Sequence, residues 1–239
     1  VSAATSPVVL VTGASGGLGR AFVRAFRTGG WNVAAASHQR TIHETADHLL
    51  SLLVEVTERD SVRAAVEATL ARWGRIDALI NNAGITGDEL MLKQTEAGWQ
   101  RVLDVNLKGA FLFTQAVTRP MLRQENGHII NVSSYVARVG RAGQTAYAAA
   151  KAGLISLTET TAKELGTRNV RANAILPGLL ATPMTEALAS DHLTLLAGEN
   201  ALGRINTVEE VAAFTEFLVR TRNISGQVFQ LDSRIARWC

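Results

Sequence analysis

Short apolar, β-branched runs alternate with stretches of helical periodicity along the chain. Val8 to Thr12 (VVLVT) reads as a buried strand, and Leu18, Ala21, Phe22, Ala25 and Phe26 then repeat at helical spacing. Thr28-Gly29-Gly30 ends that helix, since glycine tolerates a left-handed cap. Further strands are predicted over Asn32 to Ser37, Leu52 to Val56, Ala78 to Asn81, Ile129 to Ser133, Val170 to Leu176 and Gln227 to Leu231. Between them the spacing predicts helices over His43 to Leu50, from a cap at Asp60, over Glu96 to Arg123, Tyr147 to Leu165, Met184 to Leu196 and Val208 to Val219.

Strands that alternate with helices require right-handed crossovers and a parallel sheet covered on both faces. The expected fold is a doubly wound α/β sandwich of the Rossmann type, with about seven strands. No internal repeat, low-complexity tract or linker interrupts it, so residues 1–239 are expected to form one domain.

Composition narrows the class. With 239 residues and 47% apolar content, the chain can bury about three quarters of its surface and needs no staple. The net charge of +3 comes without a dense Lys/Arg run, which leaves nucleic acid unsupported as a partner. Cys239 is the only cysteine, so an intramolecular disulfide and a cysteine-based zinc site are excluded. His38, His43 and His48 are spaced i, i+5, which would turn each about 140° from the last on a helix, so no metal site is expected. No membrane partner is expected either: apolar runs of about 18 residues are lacking, and VSAATSP at the start has no basic region. The default is a soluble, cytoplasmic protein.

Chemistry enters at Thr12-Gly13-Ala14-Ser15-Gly16-Gly17-Leu18-Gly19, between the first strand and the first helix. Glycines there let the backbone approach a diphosphate while the helix N-terminus offers free N–H groups and a positive dipole end. Gly13, Gly17 and Gly19 carry the conformational requirement, and Gly16 is an extra. The end of the second strand discriminates between dinucleotides, because an acidic residue there bonds the ribose 2′-hydroxyl and repels a 2′-phosphate. This chain has Ser37-His38-Gln39-Arg40 and no carboxylate. Arg40, helped by His38, is positioned to receive the phosphate, which favours NADP(H) and leaves NAD(H) open.

Together with this loop, Asn81-Asn82-Ala83-Gly84, Asn106 in DVNLKGAF, Ser134 in INVSS, Tyr147-Ala-Ala-Ala-Lys151 and Pro177-Gly178 resemble the short-chain dehydrogenase/reductase family over essentially the whole chain. The resemblance implies a catalytic group of Asn106, Ser134, Tyr147 and Lys151. It also implies cofactor contacts at Ser15, Leu18, Glu55, Val56, Asn82, Ala83, Gly84, Tyr147, Lys151, Pro177, Gly178 and Thr182, although a helix cap accounts for Thr182 equally well. The residues support the same chemistry. Tyr147 and Lys151 are one helical turn apart, and a lysine cation close to a phenol is expected to lower its pKa from near 10, making Tyr147 a usable acid or base. Ser134, thirteen residues before Tyr147, lies where α/β sheets place ligands, and its hydroxyl can bond a substrate carbonyl oxygen.

Within the family, NNAGIT, GQTAYAAAKAGL and PGLLATPMT resemble reductases of 3-oxoacyl thioesters carried on acyl carrier protein or CoA. Gln144 sits where those enzymes present an amide to the thioester, with a turn-stabilising role as the alternative. Several positions depart from the pattern. Glu55 replaces the usual Asp, Gly16 stands where many NADP-using members carry Arg, and the ending LDSRIARWC replaces the common Asn-Gly-Gly. Of two basic positions linked to carrier-protein docking, one is Glu125 and the other Arg168, which weakens the case for an acidic carrier partner. Dehydrogenases of other small alcohols, sugars or cyclic ketones share the catalytic group, and a cofactor-binding protein without turnover is a further alternative. The helix before Arg123 is apolar around most of its circumference, as Val102, Leu103, Val105, Leu107, Phe111, Leu112, Phe113 and Val117 show, and the family commonly forms tetramers through it.

Overall fold

The computed structural model describes residues 6–39, 42, 47–181 and 195–235. Its strands are β1 (Val8–Thr12), β2 (Asn32–Ser37), β3 (Leu49–Leu53), β4 (Ala78–Asn81), β5 (Gly127–Val132), β6 (Val170–Leu176) and β7 (Val228–Gln230). They form one sheet in the order β3-β2-β1-β4-β5-β6-β7, and every neighbouring pair is parallel. Strands β1, β2, β4, β5 and β6 are buried along their whole length, which is why they read as apolar runs and not as alternating patterns. The strand order reverses between β1 and β4, and in such sheets the crevice beyond the strand C-termini at that point receives the ligand.

The sheet is flanked by helices α1 (Gly17–Thr28), α2 (Arg59–Trp73), α3 (Glu96–Leu103), α4 (Gly109–Gln124), α5 (Val136–Val139), α6 (Thr145–Leu165) and α7 (Val208–Arg220). Two cores lie on opposite faces of the sheet. One packs Phe22 and Phe26 of α1 and Val211 and Leu218 of α7 against β1 and β2. The other packs Val62 and Val66 of α2 and Phe113, Val117 and Met121 of α4 against Leu10, Leu79 and Ile129.

Several boundaries differ from expectation. Strand β3 begins at Leu49 and pairs it with Val33, three residues before the predicted start, so the helix predicted through Leu50 does not extend there. Residues 43–46 of that helix lie outside the described residues. A run of apolar residues broken only by Ser51 offers little punctuation by which to set the strand's start. Glu58, not Asp60, is the cap position of α2, and Asp60 sits in the first turn paired with Arg63 at 3.3 Å. At the end of α1 the left-handed glycine is Gly30 (φ +80°), one residue beyond Gly29.

The long helix is not continuous. A π-helical turn over Asp104–Lys108 separates α3 from α4. Such turns concentrate at functional sites, and this one carries Asn106. The helix's apolar surplus is also smaller than the sequence suggests, because Val102, Leu112, Phe113 and Val117 are buried within the chain. Leu103, Leu107 and Phe111 remain at the surface beside Leu157 of α6. The helix predicted over Met184 to Leu196 falls mostly outside the described residues. Among those residues, no helix is long and apolar enough to cross a membrane.

Candidate active site

A cavity of about 940 Å³ runs along the C-terminal edge of the sheet. Gly13 and Ser15 to Gly19 line one end together with His38, Glu55 and Val56, Asn82 to Gly84 lie along the middle, and Ser134, Gln144, Tyr147 and Lys151 line the other end. Pro177 and Gly178 complete the wall. The cofactor and substrate residues expected from sequence thus meet in one space. Arg40 and Thr182 lie outside the described residues.

The glycine loop is shaped by close backbone contacts. Gly13 has φ +64°, and a Cβ on it would stand 2.8 Å from the Ala83 Cα. A Cβ on Gly19 would stand 2.1 Å from the Gly13 carbonyl oxygen. Gly17 is the first residue of α1, whose cap position, Gly16, supplies no side-chain hydrogen bond. No acidic residue occupies the first turn of α1, so its N–H groups and dipole are free to meet an anion. The Thr12 hydroxyl accepts hydrogen bonds from the backbone N–H groups of Asn82 and Ala83, each at 3.0 Å, and the Asn82 amide donates to the carbonyls of Thr12 and Gly13. These bonds strap the segment after β4 to the glycine loop. A dinucleotide's diphosphate fits this cradle.

At the adenosine end, Glu55 is already engaged. Its carboxylate accepts from the Thr57 N–H at 3.0 Å and the Thr57 hydroxyl at 2.9 Å, and pairs with His38 Nε2 at 3.0 Å. The Thr57 backbone bond is the main reason its pKa falls below the usual carboxylate value, outweighing burial, with the Thr57 hydroxyl and His38 adding to it. His38 is therefore turned toward Glu55.

At the reacting end, α6 presents Tyr147 and Lys151 from one face, with Lys151 Nζ 5.5 Å from the centre of the Tyr147 ring. Lys151 is buried and donates to the Val132 carbonyl at 2.8 Å. The Ser133 hydroxyl donates to the Lys151 carbonyl at 2.7 Å, so Ser133 ties β5 to α6 while Ser134 faces the cavity. The Asn106 amide donates to the Ile85 and Val102 carbonyls, both at 2.9 Å, and its Oδ1 has no hydrogen-bond partner among the described residues. Gly84 packs against that oxygen and leaves no room for a side chain: a Cβ there would lie 2.5 Å from Asn106 Oδ1 and 3.5 Å from Lys151 Nζ.

The electrostatics reverse one expectation. Burial pushes the Tyr147 phenol up to about 12; the hydrogen bond with Ser134 lowers it and Asp88 raises it further. Burial also brings Lys151 down to about 8. The expected lowering of the phenol by Lys151 is not seen, because removal from water disfavours the charged form of both groups. The Tyr147 phenol is thus held protonated, beside an amine that keeps its charge at neutral pH.

Other contributors carried no sequence signal. Asn131 accepts from Asn81 at 2.8 Å and donates to Thr158 of α6 at 2.8 Å, fixing the Tyr147 helix to β4 and β5 through buried amides. Asp88 receives the Gln144 amide at 3.0 Å. Tyr135 and Arg234 line the cavity next to Ser134. Spacing could not have found Asp88 or Arg234, which reach the site from a loop and from beyond β7. Among the described residues, no group of three or more His, Cys, Asp or Glu is arranged to hold a metal.

Comparison with known proteins agrees with this geometry. The model of the short chain dehydrogenase family matches residues 7–193. A 3-oxoacyl-acyl-carrier-protein reductase of Thermotoga maritima is 42% identical over 94% of this chain and 96% of its own length. Relatives of the same description from Synechocystis and Chlamydia muridarum are 40% and 37% identical, covering 97% and 95% of this chain and 98% and 96% of their own lengths. With its parallel sheet, glycine cradle and paired Tyr147 and Lys151, the chain belongs to the short-chain dehydrogenase family of NAD(P)-dependent oxidoreductases.

Proposed function

We propose that the protein reduces a 3-oxoacyl thioester to the 3-hydroxyacyl thioester, with NADPH as reductant. The observation that carries this reading is the meeting of Ser134, Tyr147 and Lys151 at one end of a cavity whose other end is the uncapped N-terminus of α1, in a chain similar at near full length to 3-oxoacyl-acyl-carrier-protein reductases. When bound, the nicotinamide supplies the hydride that reaches the ketone carbon. Ser134 donates a hydrogen bond to the ketone oxygen, and Tyr147 gives that oxygen its proton. The phenolate left behind is stabilised by the Lys151 ammonium. Asn106 Oδ1, without a partner among the described residues, is the acceptor for a water through which the proton would be replaced by way of Lys151. Gln144 offers its amide to the thioester end.

NADPH is favoured over NADH by the absence of a carboxylate in Ser37-His38-Gln39, with Arg40 as the 2′-phosphate contact. Coenzyme A is favoured as the carrier, because Glu125 lies 3.6 Å from Arg168 and offsets a charge that an acidic carrier protein would need. A homotetramer is favoured by the apolar surface of Leu103, Leu107, Phe111 and Leu157.

The test is NADPH oxidation by the purified protein with acetoacetyl-CoA and longer 3-oxoacyl thioesters, repeated with NADH and with carrier-protein thioesters. Turnover of the CoA thioesters with NADPH is expected. No turnover of any 3-oxoacyl thioester, with reduction of a cyclic ketone or a sugar, overturns the reading.

A further inference from the structure

The chain beyond β7 returns over the substrate half of the cavity and places Arg234 there. The Arg234 guanidinium lies over the ring of Tyr135, 3.7 Å from its centre, and Tyr135 directly follows Ser134. The side chain is only 14% exposed. An arginine so placed is either a receptor for an anionic substrate group or a wall.

Its surroundings decide between these. Arg234 Nε donates to Asp232 Oδ2 at 2.7 Å, and Nη2 donates to the same oxygen. Asp232 is buried, and Glu199 adds a second carboxylate 3.7 Å from Nη1. One positive charge thus faces two negative ones, which disfavours capture of a further anion. The arrangement is also fixed in place. The Gln230 amide donates to Asp232 Oδ1 at 2.6 Å and to the Arg234 carbonyl at 2.7 Å. On the other side Gly178, at φ +81°, packs so closely that a Cβ would meet the Asp232 Cβ at 2.6 Å. A flat cation already met by carboxylates, held in place and stacked on an aromatic ring, is a rigid surface.

We propose that Arg234 is a specificity-determining residue that, stacked on Tyr135, forms the end wall of the acyl pocket and restricts the enzyme to short 3-oxoacyl groups. The inference rests on the thioester reductase reading above. Here a guanidinium and its buried carboxylate fill this space.

The experiment compares kcat/KM for acetoacetyl-CoA and 3-oxododecanoyl-CoA with NADPH. The wild type is expected to prefer acetoacetyl-CoA by about tenfold or more, the scale set by a few methylenes denied a pocket. Arg234→Gly alone would strand the Asp232 carboxylate, so it is made together with Asp232→Asn. Tyr135→Val removes the ring and leaves the Arg234 to Asp232 pair intact, which guards against misfolding of the first variant. NADPH binding, followed by nucleotide fluorescence, reports that each variant is folded. Both changes are expected to raise the ratio for the long over the short substrate, the first by about tenfold and the second by about threefold. An unchanged ratio in the folded variants overturns the role of Arg234 while the reductase reading stands. A wild type that turns over no thioester overturns the reductase reading and this inference with it.

Discussion

At the dinucleotide end of the cavity the surface is mainly backbone. Gly13 and Gly19 stand where a Cβ would run into Ala83 and into the Gly13 carbonyl, and the N–H groups of α1 point outward without a side-chain cap. At the substrate end the surface is side chain: Ser134 and Tyr135 after β5, Gln144 and Tyr147 at the start of α6, and Arg234 beyond β7, supplied by three separate parts of the fold. A backbone surface recognises what all dinucleotides share, a diphosphate, and tolerates almost no added atom. A side-chain surface can be exchanged residue by residue while the fold stands, so it is where members of one family come to differ.

Substitutions should separate the two ends. The largest effect is expected from Tyr147→Phe, which removes the proposed proton donor and nothing from the glycine cradle. Turnover should fall by about 10²–10⁴-fold while NADPH affinity stays within about threefold. Steady-state kinetics and a fluorescence titration of NADPH make the comparison. Retained turnover would remove Tyr147 as the acid, and equal losses in both measurements would show that the ends are not independent.

Gly19→Ala probes the other end. Its Cβ would fall 2.1 Å from a backbone oxygen, a contact no rotamer can relieve. The loop must shift, at a cost of about 1–3 kcal/mol, and NADPH affinity should fall by roughly tenfold or more. Thermal unfolding and the same titration measure both. An unchanged dissociation constant would mean that the loop's tight geometry does not matter to the cofactor.

What the sequence disclosed follows the same division. Strands β1, β2, β4 and β6 are legible because burial on both faces leaves only apolar residues, and the glycine loop is legible because its requirement is local. Strand β3 is misplaced because its residues belong to a longer apolar run at the sheet edge. The π-helical turn at Asn106 has no distinguishing residue in DVNLK. Arg234 and Asp88 come to the substrate end through tertiary structure alone, and the direction of the Tyr147 shift depends on burial, which spacing does not report.

That burial gives the substrate end a pH response near 8. Lys151 is brought down to about 8 because its charged form is disfavoured, so its proton is lost as pH rises through that value. Tyr147, pushed up to about 12, stays protonated over the same range. Reduction should therefore be constant below about pH 8 and should decline above it, with kcat/KM approaching a tenfold loss per pH unit. NADPH binding should show no break at the same pH. A flat kcat/KM profile to pH 10 would show that the lysine charge is not needed.

The smallest effect is expected far from both ends, at the pair of Glu125 and Arg168. Both side chains are mostly exposed, so the pair contributes about 0–1 kcal/mol to stability, and its loss should barely shift thermal unfolding. Glu125 has φ 49°, a conformation that asparagine adopts more readily than most residues, so Glu125→Asn removes the charge without straining the turn. Turnover of acetoacetyl-CoA should not change, since neither residue lines the cavity. With a carrier-protein thioester, removing the like charge should raise kcat/KM by about two- to fivefold at low ionic strength and by little at about 1 M salt. An equal gain with CoA would place the effect in the cavity, and no gain with the carrier at low salt would mean that an acidic carrier does not approach this face.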